Sequence, residues 1–308
     1  MLTNIKKAAH ALLRLPKRYD KSLEKLATAR TIEMLERQRA QEVQSTPEWA
    51  EFEARFLTAI ENFPLQTFCR WPITRETMFV GNARYLLAEL RYLRATSRAK
   101  LGKKSLQALG IGGAERCIFW PNSDGNTIHH HYQLAKFEDQ TGYQLSDLDV
   151  IIEFGGGFGS MCNLAFRKGF HGQYVIVDLP ALHLLQMYAL TTAGFSVESA
   201  YLDDPADTVH NVHLSSSFKD AEREFAAAGK RTAFVASWSL SEAPLAVRQE
   251  IRSSVSNFDA VFVAFQRQFS GLDNFKYFSE WTEDLGPFRW SLEHLEHLPD
   301  NYLMCGIR

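Results

Sequence analysis

The sequence has little cysteine, little net charge and no long apolar run, and each shortage argues against a class of protein. The four cysteines, Cys69, Cys117, Cys162 and Cys305, stand far apart and include no Cys-x-x-Cys pair. That speaks against a disulfide framework or a zinc cluster and fits a reducing cytoplasm. The 34 lysines and arginines nearly balance 36 aspartates and glutamates, for a formal net charge of −2. A global affinity for nucleic acid is therefore not indicated. No apolar run is long enough to span a bilayer. The short patch at 9–13 is bounded by charge and shows no clear cleavage site, which argues against a secretory signal. Internal repeats and low-complexity linkers are absent too.

What is present is ordinary for a globular protein: 308 residues, 45% hydrophobic and 23% charged. That suffices for one large or two smaller domains with a real core. Charge is unevenly placed at the start, where Lys6, Lys7, Arg14, Lys17, Arg18, Lys21, Lys25 and Arg30 face only Asp20 and Glu24. Such a segment suits an anionic membrane or a partner, and equally a solvated arm or helix.

The two halves differ in periodicity. Residues 1–145 carry mostly helical signals. Thr46 and Pro47 form an N-cap and first turn, after which Trp49, Phe52, Phe56, Ile60 and Phe63 recur at helical spacing. A second helix is expected over 82–98, and a third from an Asn126 cap to Gly142. From 146 onward, strands at 148–153, 173–177, 195–198, 232–237, 259–265, 287–295 and 301–307 alternate with helices at 159–168, 181–193, 218–228, 244–255 and 274–284. This alternation predicts a Rossmann-like α/β fold with a mainly parallel sheet. The last two strands have no room for a helix between them and must form an antiparallel hairpin. The expected organisation is a helical cap over 1–145 and a cofactor-binding domain over 146–308.

The chemistry centres on Glu153-Phe-Gly155-Gly156-Gly157-Phe158-Gly159, which follows an apolar strand. Glycines at a strand's carboxyl end let the backbone approach a ligand, and the next helix offers free N–H groups. Glu153-x-Gly155-x-Gly157-x-Gly159 fits the acidic glycine signature of S-adenosylmethionine (SAM) enzymes. The NAD fingerprint fits only in part, because it finds Ser160 in its third glycine position. Asp178, with Leu179 after it, ends the second strand, where a carboxylate can hold ribose hydroxyls or simply cap the next helix. Asp203 and Asp204 follow the expected third strand and are placed to reach an adenine amino group, a divalent metal or only solvent. Ser237, Trp238 and Glu242 follow the fourth, at the cleft mouth or as a helix cap. Phe158 is placed to cover the cofactor or pack beneath it.

The segments Val150–Ser160 and Tyr174–Pro180, with Asn126–Tyr132 and Ala236–Glu242, resemble the sugar O-methyltransferase family of bacterial polysaccharide clusters. The resemblance covers about residues 115–308. It implies a class I SAM-dependent methyltransferase fold, SAM as methyl donor, and a hydroxyl of a sugar, nucleotide sugar or glycan as acceptor.

A sugar hydroxyl is a weak nucleophile and needs a proton acceptor or a metal. His129 and His130 are the first candidates for the base, since imidazole titrates near neutrality. Successive helical positions point about 100° apart, so His129, His130 and His131 cannot all face one cleft. Adjacent helical positions are also poor metal co-ligands, and no metal site is assigned. Glu242 is the next candidate, as base or as partner to a sugar hydroxyl, and His183 follows. Phe119, Trp120, Tyr132 and Trp238 are either stacking platforms or core. An NAD(P)-dependent oxidoreductase and a non-catalytic SAM-fold scaffold remain as alternatives, and the N-terminal helices have stripes that suit a homodimer.

Overall fold

The computed structural model describes residues 20–41, 47–96, 106–205, 208–226 and 229–308. Thr46 and the basic residues Lys6, Lys7, Arg14, Lys17 and Arg18 lie outside these. The N-terminal part is helical. It comprises α1 (Lys21–Ala40), α2 (Pro47–Asn62), α3 (Pro72–Thr77) and α4 (Leu86–Thr96), then a short antiparallel pair, β1 (Arg116–Cys117) and β2 (Trp120–Asp124). The apolar stripe of α2 turns inward at Phe56, but Phe63 beyond its end is 47% exposed.

Helix α5 (Gly125–Thr141) starts earlier than the sequence suggests. Asp124, not Asn126, caps it, with Oδ1 accepting from the Thr127 N–H at 2.8 Å. Asn126 instead grips a neighbouring loop: its Oδ1 accepts from Val80 N at 2.8 Å and its Nδ2 donates to Met78 O at 2.8 Å. Gly142 ends the helix in the left-handed conformation, as expected of a C-terminal glycine.

The rest alternates β3 (Val150–Phe154), α6 (Ser160–Arg167), β4 (Gln173–Val177), α7 (Pro180–Thr192), β5 (Val197–Ser199), β6 (Val212–Ser215), α8 (Phe218–Phe225), β7 (Thr232–Ser237), α9 (Ser239–Glu242), α10 (Leu245–Ser254) and β8 (Ala260–Gln266). A small hairpin, β9 (Gln268–Phe269) and β10 (Leu272–Asp273), leads into α11 (Asn274–Asp284), β11 (Arg289–His294) and β12 (Asn301–Ile307). The eight-stranded sheet has the order β11-β12-β8-β7-β3-β4-β6-β5. Only β12 runs against the others, pairing antiparallel with both β11 and β8. The mixed α/β fold with a mainly parallel sheet and a terminal antiparallel hairpin is therefore present.

One strand was not foreseen. Val212-His-Leu-Ser215 is too short and too polar to stand out, yet it pairs with β4 and displaces β5 to the sheet edge. This corrects the expected position of the acids after β5. Asp203 and Asp204 lie beyond the edge strand, not beside β4. They hold α1 there: Arg30 grips Asp204 at 2.6 and 2.9 Å, and Arg37 meets Asp203 at 2.7 Å.

Alternating residues divide the core between the sheet's two faces, as the strand period requires. Ile151, Tyr174, Ile176, Val235 and Phe262 face one cluster, which includes Met34, Phe56, Phe68 and Leu90 from the N-terminal helices. Val150, Ile152, Val175, Phe234 and Val263 face the other, with Phe218, Ile251 and Trp281. The expected boundary near 145 separates kinds of element, but the two sides share one core.

Candidate active site

The glycine loop leaves β3 and enters α6. Gly155, Gly157 and Gly159 have φ of 72°, 58° and 81°, the left-handed region that side chains disfavour. Their surroundings differ. A Cβ on Gly155 would run into Ser239 Cβ, whereas one on Gly157 would meet nothing nearer than Met78 at 3.6 Å. Gly155 therefore packs against the segment after β7. Gly157 faces the Met78 side chain, whose backbone carbonyl accepts from Asn126.

Two acids flank the loop and do different things. Glu153 is 2% exposed and lies beneath it, accepting from Tyr174 Oη at 2.9 Å. Burial pushes its pKa up to about 8, so it is mostly protonated at neutral pH. Asp178 is half-buried at the end of β4. Its Oδ2 accepts from Gly157 N at 3.2 Å and from Gln186 Nε2 at 2.7 Å, and its Oδ1 accepts from Leu179 N at 2.8 Å. Burial raises its pKa to about 7, with these hydrogen bonds pulling the other way. Gln186 also donates to Gly157 O at 2.9 Å and so ties acid to loop. Sequence reading missed Gln186, which sits two turns into α7 with nothing local to mark it.

The adjacent histidines of α5 separate sharply. His130 is half-buried, and its Nδ1 lies 3.0 Å from Oγ of Ser160, the first residue of α6. Its Nε2 makes no hydrogen bond among the described residues. Burial and the neighbouring His129 push its pKa down to about 3, so it is neutral at pH 7. His129 is fully buried. Its Nδ1 lies 2.6 Å from Glu89 Oε1, its Nε2 lies 3.1 Å from Gln133 Nε2, and its ring stacks on Trp238 at 4.7 Å. Such an enclosed ring has no access to a substrate, which corrects the expectation that it faces the acceptor. Glu89, also fully buried, is desolvated, but the charge and hydrogen bonds of His129 and His297 outweigh this and keep its pKa low. His131 is buried on another side of the helix.

The end of β7 meets this cluster. Ser237 Oγ donates to Gln133 Oε1 at 2.9 Å. Trp238 has φ 62°, rare for an aromatic residue, and its Nε1 donates to Asn301 Oδ1 at 2.7 Å. Backbone strain of this kind persists only where surroundings enforce it, and it concentrates at functional sites. Ser239 Oγ donates to Phe154 O, closing β7 onto the root of the glycine loop. Glu242 is half-buried at the end of α9, with Oε1 accepting from Gln266 Nε2 at 3.0 Å.

The structure therefore gathers Gly155–Gly159, Asp178, Leu179, Ser160 and His130 on one side, and Ser237, Trp238 and Glu242 on the other. It leaves out Asp203, two strands away from β4. Phe158 turns into the core against Phe68, with ring centroids 5.1 Å apart. His183 is buried in the first turn of α7. Tyr132 packs edge-on to Tyr92 at 5.1 Å, and Trp120 lies under Arg94 at 5.2 Å. Among the described residues, no cluster of three or more His, Cys, Asp or Glu side chains could hold a metal. None of their helices is long and apolar enough to cross a membrane.

No family model matches the chain, and no curated protein matches it. Solved structures with a similar fold include the methyltransferase domain of bacterial CtHen1-CN. It is 12% identical with a TM-score of 0.41, over 58% of this chain and 97% of that one. An O-methyltransferase family protein from Burkholderia thailandensis is 11% identical with a TM-score of 0.38, over 73% and 71%. Precorrin-6y C5,15-methyltransferase from Geobacter metallireducens is 14% identical with a TM-score of 0.38, over 58% and 88%.

Proposed function

We propose that the chain is a SAM-dependent O-methyltransferase acting on a hydroxyl of a sugar or glycan precursor. The observation that carries this reading is the union of Gly157, Asp178 and His130 at the carboxyl ends of β3 and β4. Gly157 is the loop glycine whose added Cβ would meet only the Met78 side chain, in ordinary contact at 3.6 Å. Asp178 ends β4 beside the loop, accepting from Gly157, Leu179 and Gln186, the strand-end place where a carboxylate can meet ribose hydroxyls. The first turn of α6 presents N–H groups and positive potential to a carboxylate. These residues fit the ribose and amino-acid ends of SAM.

The cofactor supplies an electrophilic methyl group on a positively charged sulfur. The chain supplies alignment and a route for the proton. In the tautomer whose Nδ1–H donates to Ser160 Oγ at 3.0 Å, the neutral His130 keeps Nε2 as the acceptor for that proton. An acceptor hydroxyl becomes strongly acidic as its oxygen gains a bond to carbon. A weakly basic imidazole already in place is then sufficient to take the proton. Burial keeps His130 in the form that can do so.

Calorimetry with SAM and S-adenosylhomocysteine tests the cofactor assignment. Micromolar binding is expected for wild type, and Gly157→Leu should weaken it at least a hundredfold. That substitution costs only about 1–2 kcal/mol in backbone strain, so the variant should fold. Folded wild-type protein that binds neither compound, but quenches or shifts NADH fluorescence on titration, would sink the reading in favour of an oxidoreductase. Binding of S-adenosylhomocysteine without methyl transfer to any sugar, nucleotide sugar or RNA oligonucleotide would point to the scaffold alternative.

A further inference from the structure

The side of the cleft formed by β7 and β8 contains a buried cation with an unusual set of partners. Arg248 of α10 is 1% exposed, yet none of its hydrogen bonds goes to a carboxylate. Its Nε donates to Ala243 O at 2.6 Å, its Nη2 to Ser241 O, and its Nη1 to Asn274 Oδ1 at 2.6 Å. Asn274, fully buried, passes the constraint on: its Nδ2 donates to Gln266 O at 2.9 Å. One guanidinium thus fixes both the end of α9 and the end of β8.

Burying a guanidinium away from water is costly unless its donors are satisfied and an opposite charge lies near. Arg248 spends its donors on shape, and the nearby acid is Glu242. Gln266 joins the two elements. Its Oε1 accepts from Ser241 Oγ at 2.8 Å, and its Nε2 donates to Glu242 Oε1 at 3.0 Å. The bond to the Glu242 carboxylate sets which way the amide points, while the single Ser241 hydroxyl proton is shared between Gln266 Oε1 and Trp238 O at 2.6 Å. The amide bond also fixes Glu242, whose Oε2 makes no hydrogen bond among the described residues. Burial pushes the Glu242 carboxyl above its ordinary value, with the Gln266 hydrogen bond and the Arg248 charge pulling the other way.

A held, partly desolvated carboxylate oxygen beside a fixed amide recognises hydrogen-bond donors and repels anions. We propose that Glu242 and Gln266 form the acceptor subsite, that Arg248 positions them through Ser241 and Asn274, and that the subsite selects an uncharged polyol and rejects a sugar bearing a carboxylate there. This rests on the methyltransferase reading and narrows its acceptor class. Glu242 here binds a hydroxyl next to the one that reacts. Gln266 is a specificity residue that sequence reading did not single out.

The test uses saturation-transfer NMR on the full chain, with and without S-adenosylhomocysteine. The probes are methyl glycosides of glucose, galactose, mannose and rhamnose, with methyl glucuronide as the charged counterpart. Wild type should bind at least one neutral glycoside and not the glucuronide. Glu242→Gln should weaken the neutral glycoside roughly ten- to a hundredfold, the range for loss of a hydrogen bond to a charged group, and should narrow the preference over glucuronide. Gln266→Ala should have a similar effect, because it frees Glu242. The dissociation constant for S-adenosylhomocysteine should stay within twofold in both variants. Failure of wild type to bind S-adenosylhomocysteine strikes at the cofactor reading, whereas the glycoside arm without cofactor still judges the subsite. The proposal is overturned if no neutral glycoside binds in either condition, if the glucuronide binds as well as its neutral counterparts, or if both variants bind glycosides like wild type.

Discussion

The two sides of the cleft are built by different means. The side formed by β3, α6 and β4 is local: glycines, an acid and a helix start follow one another within thirty residues or so. The side formed by β7, α9 and β8 is assembled from far apart. His129 and Gln133 of α5, Glu89 of α4, Asn301 of β12 and Asn274 of α11 all converge on the turn at Trp238–Glu242. The first side places a backbone near a ligand. The second holds a strained tryptophan and a carboxylate by side-chain networks. On the proposed reading, a short motif sets the geometry of the cofactor side, while the tertiary assembly around it sets that of the acceptor side.

His129 and His130 make the sharpest comparison, since they are neighbours in sequence with opposite surroundings. The largest expected effect is on activity. His130→Ala should lower the rate of methyl transfer by about 10²–10⁴-fold, the usual contribution of a general base. S-adenosylhomocysteine affinity should stay within a few-fold, and the melting temperature should be close to wild type. A comparable loss of cofactor affinity by calorimetry would assign His130 to cofactor binding instead.

His129 should behave as structure. His129→Ala and Glu89→Ala each break a fully buried pair and leave a polar group without its partner. Each should cost about 2–4 kcal/mol of stability in urea unfolding. Once one member is gone the other has less to lose, so the double variant should cost clearly less than the sum. An additive double variant would show that the pair is not coupled. Full stability with lost activity in His129→Ala would exchange the roles assigned to the two histidines.

How much of this was legible in the sequence follows the same division. Strands at 173–177, 232–237 and 301–307 agree with the structure to the residue, because strands buried on both faces, the antiparallel β12 among them, read as nearly continuous apolar runs. The terminal hairpin was legible from the short loop at 295–300. The glycine loop was legible because its spacing carries its own chemistry. Strand β6 was hidden by its short, polar sequence, and the position of Asp203 failed with it. The triple histidine showed that at most some of its rings face the cleft, but not which ones. That depended on Glu89, forty residues upstream, and on the stacking of Trp238. Gln186, Gln266 and Arg248 carried no signal, since amides and arginines acquire meaning only from the partners that fold around them.

The smallest expected effect separates the two acids beneath and beside the glycine loop. Glu153 has its folded-state pKa raised to about 8 and Asp178 to about 7, against about 4.3 and 3.9 when unfolded. For an acid with a raised folded-state pKa, the folded protein holds its proton longer than the unfolded chain. The associated stability is complete below the unfolded pKa and is lost as pH rises through the folded one. Both acids therefore make the cofactor-free protein less stable from about pH 4 toward neutrality, and Asp178 is half titrated in the folded state at pH 7. Between pH 7 and 8 Glu153 contributes the larger part, at up to about 1.4 kcal/mol per pH unit, with a smaller remainder from Asp178. Glu153→Gln keeps the shape and an acceptor for Tyr174 Oη but cannot ionise. Its melting temperature should fall less than that of wild type between pH 5 and 8, and the two should converge only below about pH 4. Parallel curves would mean that Glu153 is already ionised beneath the loop at neutral pH. The local side of the cleft would then carry a full negative charge under Gly156, and its attraction for a cationic cofactor would come from below the loop as well as from Asp178.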